Sequence, residues 1–139
     1  MTGVAIVIPV LNEAAALPRL LRHLHLLDPA PEEVLVVDGG STDGSAALAR
    51  AAGLRVLDHS APGRAAQINW GVEAARAPLV LVLHADTLLP DDAVAVVRRV
   101  LADQRTALAG FLPLLSGPGG VRWGTSLHNL LKTWYAPLL

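Results

Sequence analysis

The sequence predicts an α/β fold, a mainly parallel, doubly wound sheet with helices on both faces, and three observations carry that prediction. Four short runs rich in Val, Ile and Leu recur along the first hundred or so positions, each followed by a stretch of helical period. The runs are almost continuously apolar rather than alternating, which is the pattern of strands covered on both faces. Strands separated by helices join in parallel through right-handed crossovers, giving a Rossmann-like sheet in α/β/α layers.

Each element has a local reason. Residues 4–10 (VAIVIPV) form the first apolar run, and Leu17, Leu20, Leu21, Leu24 and Leu27 follow as one stripe of a helix, with Arg19, Arg22 and His23 outside it. Pro18 suits the first turn of that helix, where its missing N–H costs nothing. Residues 34–37 give the second strand. An Ala-rich helix follows over 45–52, with Asp43 or Thr42 placed to cap its start and Gly53 to close it. Residues 54–57 read as the third strand and 64–76 as the third helix, interrupted by Gly71 and stopped before Pro78. Residues 79–83 are the fourth strand. The fourth helix opens at Pro90-Asp91-Asp92, where carboxylates suit the positive end of the helix dipole, and presents Val94, Val97, Val100 and Leu101 to the core. Beyond Asp103, residues 107–115 could add a strand, 117–120 (GPGG) a loop, and 121–135 an apolar helix with Leu127, Leu130, Leu131 and Trp134 on one face. That face suits a core, and failing that a membrane surface or a further domain.

Composition narrows the function. The chain has 139 residues, 53% of them hydrophobic and 17% charged, which fits one globular domain able to bury a core without a covalent staple. It has no cysteine, so thiolate metal sites, disulfides and cysteine nucleophiles are excluded, and a cytoplasmic location is expected. The formal charge of −1 supplies no basic field for a phosphate backbone, so nucleic acid is not an expected partner. The amino terminus lacks the pattern of a signal peptide, and no run reaches the roughly 20 apolar residues of a spanning helix.

In an open parallel sheet ligands gather at the carboxyl ends of the strands. The first strand leads into Pro9-Val10-Leu11-Asn12-Glu13, the second into Asp38-Gly39-Gly40-Ser41-Thr42-Asp43-Gly44, and the fourth into His84-Ala85-Asp86-Thr87. The third ends in Asp58-His59-Ser60, before Gly63-Arg64-Ala65-Ala66-Gln67-Ile68-Asn69. Asp38 could bind a ribose hydroxyl, yet the G-x-G-x-x-G of dinucleotide folds and the phosphate-binding P-loop are both missing. A carboxylate placed as Asp86 is suits Mg²⁺ or Mn²⁺ bridging a diphosphate, and Arg64 at a helix start suits a phosphate contact. Plainer readings stand beside these. Asn12 and Glu13 could only cap a helix, residues 38–44 could only turn, Asp86 and Arg64 could be simply solvated, and Gln67 and Asn69 could face water. Asp43 fits a cap better than a ligand, and His23, His25 and His59 form no metal constellation.

Taken together, P-V-L-N-E, V-V-D-G-G-S-T-D-G, G-R-A-A-Q-I-N-W-G and L-H-A-D-T in this order resemble the family 2 glycosyltransferases over about residues 4–104. The pattern is most similar to a short microbial subfamily with histidine in its metal motif, the selenium-domain or radical-SAM associated type. The resemblance implies the GT-A nucleotide-diphospho-sugar transferase fold and inverting transfer of a sugar from a nucleotide-diphospho-sugar donor to an acceptor hydroxyl. It implies a donor-binding core over 1–104 and the start of an incomplete acceptor region over 105–139, within one structural domain. By position, Pro9, Asn12 and Glu13 would line the nucleoside site, Asp38 would contact base or ribose, and Arg64 and Asn69 would face the nucleotide or diphosphate. Asp86 matches the last Asp of the family's D-x-D motif, which holds Mn²⁺ or Mg²⁺; His84 stands where the first Asp belongs and would be its second ligand. Inverting transfer also needs a base for the acceptor proton. No Asp or Glu follows Asp103, and His128, the residue type there that ordinarily titrates near neutrality, reads as a helix-face histidine. The sequence thus also allows a second kind of function, a nucleotide-binding module that depends on a partner or a further segment. The C-terminal helix would then be its contact with protein or with the inner face of the membrane.

Overall fold

Strand β1 (Val4–Val10) is the centre of the structure because all 7 of its residues are buried. The computed structural model describes residues 3–58, 63–103 and 105–111. Around β1 the predicted order is found: α1 (Leu17–Leu24), β2 (Glu33–Asp38), α2 (Ser45–Ala51), β3 (Arg55–Asp58), α3 (Arg64–Ala74), β4 (Leu79–Val82) and α4 (Ala93–Val100). The strands form a 4-stranded sheet in the order β3-β2-β1-β4, every pair parallel. The chain builds outward from β1 to β3 and then crosses back to place β4 on the other side of β1. The order therefore reverses between β1 and β4, the place where such sheets open a crevice at their carboxyl edge.

Alternation along β1 makes two cores. Val4, Ile6, Ile8 and Val10 point to one face and pack with Leu17, Leu20 and Leu24 of α1, Ala49 of α2, and Val94 and Val97 of α4. Ala5 and Val7 point to the other face, with Leu35 and Val37 of β2 and the end of α3 at Ala74. Each fully buried aliphatic side chain of this kind contributes about 1.5–3 kcal/mol, so the central strand with its two layers carries most of the hydrophobic stabilisation. The outer strands β3 and β4 are only partly buried, as edges should be.

Gly71 does not interrupt α3, contrary to expectation, since the helix runs through it. A Cβ there would lie 2.3 Å from Val7 Cγ1 and 2.9 Å from Val37 Cγ2, so the missing side chain lets the helix lie directly on β1 and β2. Three further expectations are corrected. The N-cap residue of α2 is Gly44 at φ 90°, not Asp43 or Thr42, although Asp43, one residue earlier, accepts the N–H of Ser45, the first residue of the helix. α4 begins at Ala93, after a turn closed by Ala93 N–H on the Pro90 carbonyl, and Val100 is exposed on it. Residues 107–111 form no strand. Gly53 at φ 78° does end α2 as expected, in a left-handed conformation that glycine adopts without strain.

The chain divides into two units, Met1–Thr106 and Ala107–Leu139, and all eight elements belong to the first. The expectations for residues 112–115, the 117–120 loop, the 121–135 helix, His128, His59 and Ser60 lie outside the described residues.

Candidate functional site

Pro9 marks the start of the candidate site by ending a ladder. The carbonyls of Gly3 and Val7 accept from the N–H groups of Leu79 and Leu83 on the β4 side, so the odd residues of β1 hydrogen-bond toward β4. Pro9 is next in that series and has no N–H to give, so the two strands part there. The residue itself is a buried member of β1, paired with Val37, and not part of a turn.

Past Val10 the exit of β1 is sewn to the exit of β2. Asn12 takes a left-handed φ of 56°, which Asn tolerates better than most residues. Its N–H donates to Ser41 Oγ at 2.9 Å, and its Oδ1 accepts the Thr42 N–H at 2.9 Å. Glu13 N–H donates to Ser45 Oγ at 2.9 Å and Ala14 N–H to Asp43 Oδ2 at 2.9 Å. Asp43 Oδ1 in turn accepts the Ser45 hydroxyl at 2.5 Å and the Ser45 N–H at 3.0 Å. The Ser45 hydroxyl, and after it the Ala14 N–H, hold the Asp43 carboxyl below the ordinary carboxylate value. Asp43 is thus an exposed strut that joins the β1 exit at Ala14 to the first residue of α2. The Glu13 carbonyl accepts from Ala16 and Leu17 and so opens α1 with its backbone.

Asp38, the last residue of β2, is 4% exposed. Its Oδ2 accepts the N–H groups of Gly40 at 3.0 Å and Ser41 at 2.9 Å, which fixes the carboxylate against its own turn. Its Oδ1 is buried and has no hydrogen-bond partner. A buried carboxylate oxygen without a partner costs free energy, and such a cost marks a place where a donor belongs. Asp38 and Asn12 are brought together through Ser41, which donates to the one and accepts from the other.

The exit of β4 is built differently. Leu83 and Ala85 are buried in the α1 core, while His84 and Asp86 alternate with them and are exposed. A turn closed by Thr87 N–H on the His84 carbonyl at 3.1 Å holds the pair, and Thr87 Oγ1 lies 3.2 Å from Asp86 Oδ1. Among the described residues no group of three or more His, Cys, Asp or Glu is gathered to hold a metal alone. The donor set still fits a divalent ion that a ligand completes, because Mg²⁺ takes one or two protein carboxylates and fills its remaining positions with substrate phosphates and water.

On α3 the structure separates two residues that the sequence placed together. Arg64 lies at i, i+3 and i+7 with Gln67 and Gly71, the row that faces the sheet, and it is exposed where that row passes the carboxyl edge. Asn69 is exposed on the opposite side of the helix. The sequence leaves open whether Gln67 faces water; it is 4% exposed, and its Nε2 donates to the carbonyls of Val10 at 2.8 Å and Val37 at 2.9 Å.

Comparison with known proteins gives one pattern. Residues 5–137 match the family model described as Glycosyl transferase family 2. The chain is 40% identical over 84 residues to an uncharacterized glycosyltransferase of Mycobacterium bovis, covering 60% of this chain and 37% of that protein. It is 39% identical over 137 residues to the undecaprenyl-phosphate 4-deoxy-4-formamido-L-arabinose transferase of Pseudomonas aeruginosa, covering 91% of this chain and 40% of that one. It thus spans about two fifths of the length of these relatives. Among solved structures it is similar to a mannosyltransferase from Pyrobaculum calidifontis in complex with GDP-Man and Mn²⁺, with TM-score 0.62, 28% identity, and coverage of 69% of this chain and 32% of that chain. No helix among the described residues is long and apolar enough to cross a membrane.

Proposed function

The chain belongs to glycosyl transferase family 2 and has the GT-A fold, and from that premise we propose that it binds the nucleotide-diphospho-sugar donor of an inverting sugar transfer. The observation that carries this reading is the buried Asp38 carboxylate with its unpartnered Oδ1, set among the braced exits of β1 and β2 beside the switch point. In it Asp38 accepts a hydrogen bond from the base or ribose, Asn12 and Glu13 edge the nucleoside, and Arg64 and the start of α3 face the phosphates. Asp86, with His84, would hold the divalent ion. A bound Mn²⁺ or Mg²⁺ would neutralise the diphosphate as it departs. The anomeric carbon loses its bond to the diphosphate oxygen and gains one to the acceptor hydroxyl, whose proton passes to a base. Two of the assigned residues are weaker members, since Pro9 is buried in β1 and Asn69 faces away from the sheet.

The placement in the short microbial subfamily rests on the L-H-A-D-T of residues 83–87. A second reading, a nucleotide-binding module that turns nothing over without a partner or a further segment, is favoured by one observation: the chain spans about two fifths of the length of the relatives it matches. Both readings place the same nucleotide on the same edge of the sheet.

The test is a thermal-shift panel of UDP, GDP, dTDP, CDP and ADP with and without Mn²⁺. A ligand at about 100 times its dissociation constant raises stability by about 2.7 kcal/mol, which such a panel resolves. A Mn²⁺-dependent shift with one diphosphate is the expected result and names the base; no shift with any of the five overturns the donor site. Steady multiple turnover of the cognate sugar nucleotide by the chain alone would remove the second reading.

A further inference from the structure

The residue that joins the two halves of the donor site is one that the reaction itself does not name. Gln67 projects from α3 onto the sheet one turn before Gly71, the glycine that brings the helix down on Val7 and Val37. Both hydrogens of an amide nitrogen are available, and Gln67 Nε2 has an acceptor for each, the carbonyls of Val10 and Val37. These carbonyls are not arbitrary. The Val37 carbonyl belongs to the peptide leading into Asp38, and the Val10 carbonyl to the peptide leading out of β1 toward Asn12. Val10 O also accepts the Gly39 N–H at 2.9 Å, so one carbonyl gathers β1, the turn after β2 and α3.

Gly39 completes the arrangement. A Cβ on it would sit 2.9 Å from Gln67 Nε2 and 3.0 Å from Gln67 Cδ. Gly39 has no left-handed φ to protect, so what excludes a side chain there is the Gln67 amide. The amide could swing away, but only by leaving the two carbonyls.

We infer that Gln67 is a positioning residue of the donor site: through the Val10 and Val37 carbonyls it fixes the separation of the β1 and β2 exits, and Gly39 is the space kept for its amide. Gln67 touches no ligand in this role. It sets where Asp38 and Asn12 stand relative to one nucleotide, and the inference rests on the donor-site reading above.

Three variants of the full chain test it, Gln67→Ala, Gly39→Ala and the pair, together with Gln67→Glu. The diphosphate that binds the unsubstituted chain best among UDP and GDP, with Mn²⁺, is titrated by calorimetry, and the melting temperature without nucleotide is recorded beside it. Losing one to two net hydrogen bonds from the frame should weaken the nucleotide by about tenfold in Gln67→Ala. Leu24→Ala, on α1 in the other core layer, serves as the stability control and should leave affinity unchanged. Gly39→Ala should weaken binding to a similar degree, and should add nothing once Gln67 is already Ala. The Gln67→Glu variant gives a reading that lost stability alone does not. Its carboxylate faces two carbonyl oxygens and cannot donate; protonated, it regains one donor, so the affinity of this variant should rise relative to that of the unsubstituted chain as pH falls. Unchanged affinity in Gln67→Ala, losses no larger than in Leu24→Ala, or additive losses in the Gly39 and Gln67 pair would each overturn the inference. If neither diphosphate binds the unsubstituted chain, the donor-site reading falls and this inference with it; binding that survives in Gln67→Ala removes this inference alone.

Discussion

The exits of β1 and β2 and the exit of β4 lie along one edge of one sheet, yet they are made by opposite means. At the first pair, the N–H groups of Asn12, Glu13 and Ala14 donate to side chains of the β2 loop and of Ser45 at the start of α2, and Asp38 and Asp43 accept the N–H groups of Gly40, Ser41 and Ser45. At β4 two buried side chains, Leu83 and Ala85, hold a turn whose polar residues His84 and Asp86 stand in solvent. The difference separates two ways of meeting a ligand. A nucleoside end built of fixed dipoles is ordered before binding and loses little entropy in it, whereas a metal and diphosphate end is completed by what it binds. Substitutions should therefore act differently on the two. In the braced region they should cost fold stability and affinity together; at β4 they should cost affinity alone.

The largest effect is expected at Asp38. Asp38→Ala removes the acceptor of the Gly40 and Ser41 N–H groups from a buried position and should destabilise the chain by about 2–3 kcal/mol, read from the urea midpoint. Affinity should fall for the free nucleoside as well as for the diphosphate, because the contact is with the nucleoside end. Asp38→Asn sharpens the comparison, since it keeps one oxygen for the two N–H groups. It should recover most of the stability while leaving the nucleotide weakly bound. Full affinity in Asp38→Asn would show that Oδ1 is not the contact.

Asp43 comes next: Asp43→Ala takes the acceptor from the Ala14 N–H and from the buried Ser45, but the carboxylate itself is exposed, so the urea midpoint should fall by less than in Asp38→Ala. Its carboxyl titrates below the ordinary 3.8 in the folded chain, owing first to the Ser45 hydroxyl and then to the Ala14 N–H. The group therefore contributes stability above pH 3.8, and loses it as pH falls through the lower folded value. Asp43→Ala should accordingly flatten the acid limb of a stability–pH curve and change little at pH 7 to 9. An acid limb identical in both chains would mean that the strut carries no net stability.

These residues also show what a sequence discloses of such a site. The strands and helices were legible because hydrophobic period is a local signal, and Asp38, Asn12 and Glu13 could be singled out because strand exits are where ligands gather. What the same residues do with their side chains was not legible. Asp43 sits two residues before Ser45 and reads locally as a cap, but its second oxygen goes to Ala14, 29 residues away. Whether Gln67 faces water or the sheet is undecided in the sequence because the carbonyls that it bonds lie 57 and 30 residues earlier. One signal could have found it: Gly71, one turn later, marks the face of α3 that lies against the sheet, and Gln67 shares that face. The role of Pro9 in the strand likewise shows only in the β1–β4 register, where its missing N–H falls at the point where the ladder stops.

The smallest effect on the fold is expected at Asp86, and it decides the comparison. Asp86 is exposed and bonded only to its neighbour Thr87, so Asp86→Ala should leave the stability of the free chain within about 0.5 kcal/mol. If the β4 exit is completed by its ligand, the same change should abolish the part of nucleotide diphosphate affinity that depends on Mn²⁺. It should leave the metal-independent part and the affinity for the free nucleoside intact. The converse pattern, a large loss of stability with metal-dependent binding retained, would make the turn a structural device and leave the ion without its carboxylate. His84→Ala then divides the remaining alternatives. A smaller loss of Mn²⁺ dependence assigns the imidazole as a second ligand beside Asp86, and no loss leaves a single carboxylate with the diphosphate to hold the ion, as the chemistry of a hard divalent cation allows.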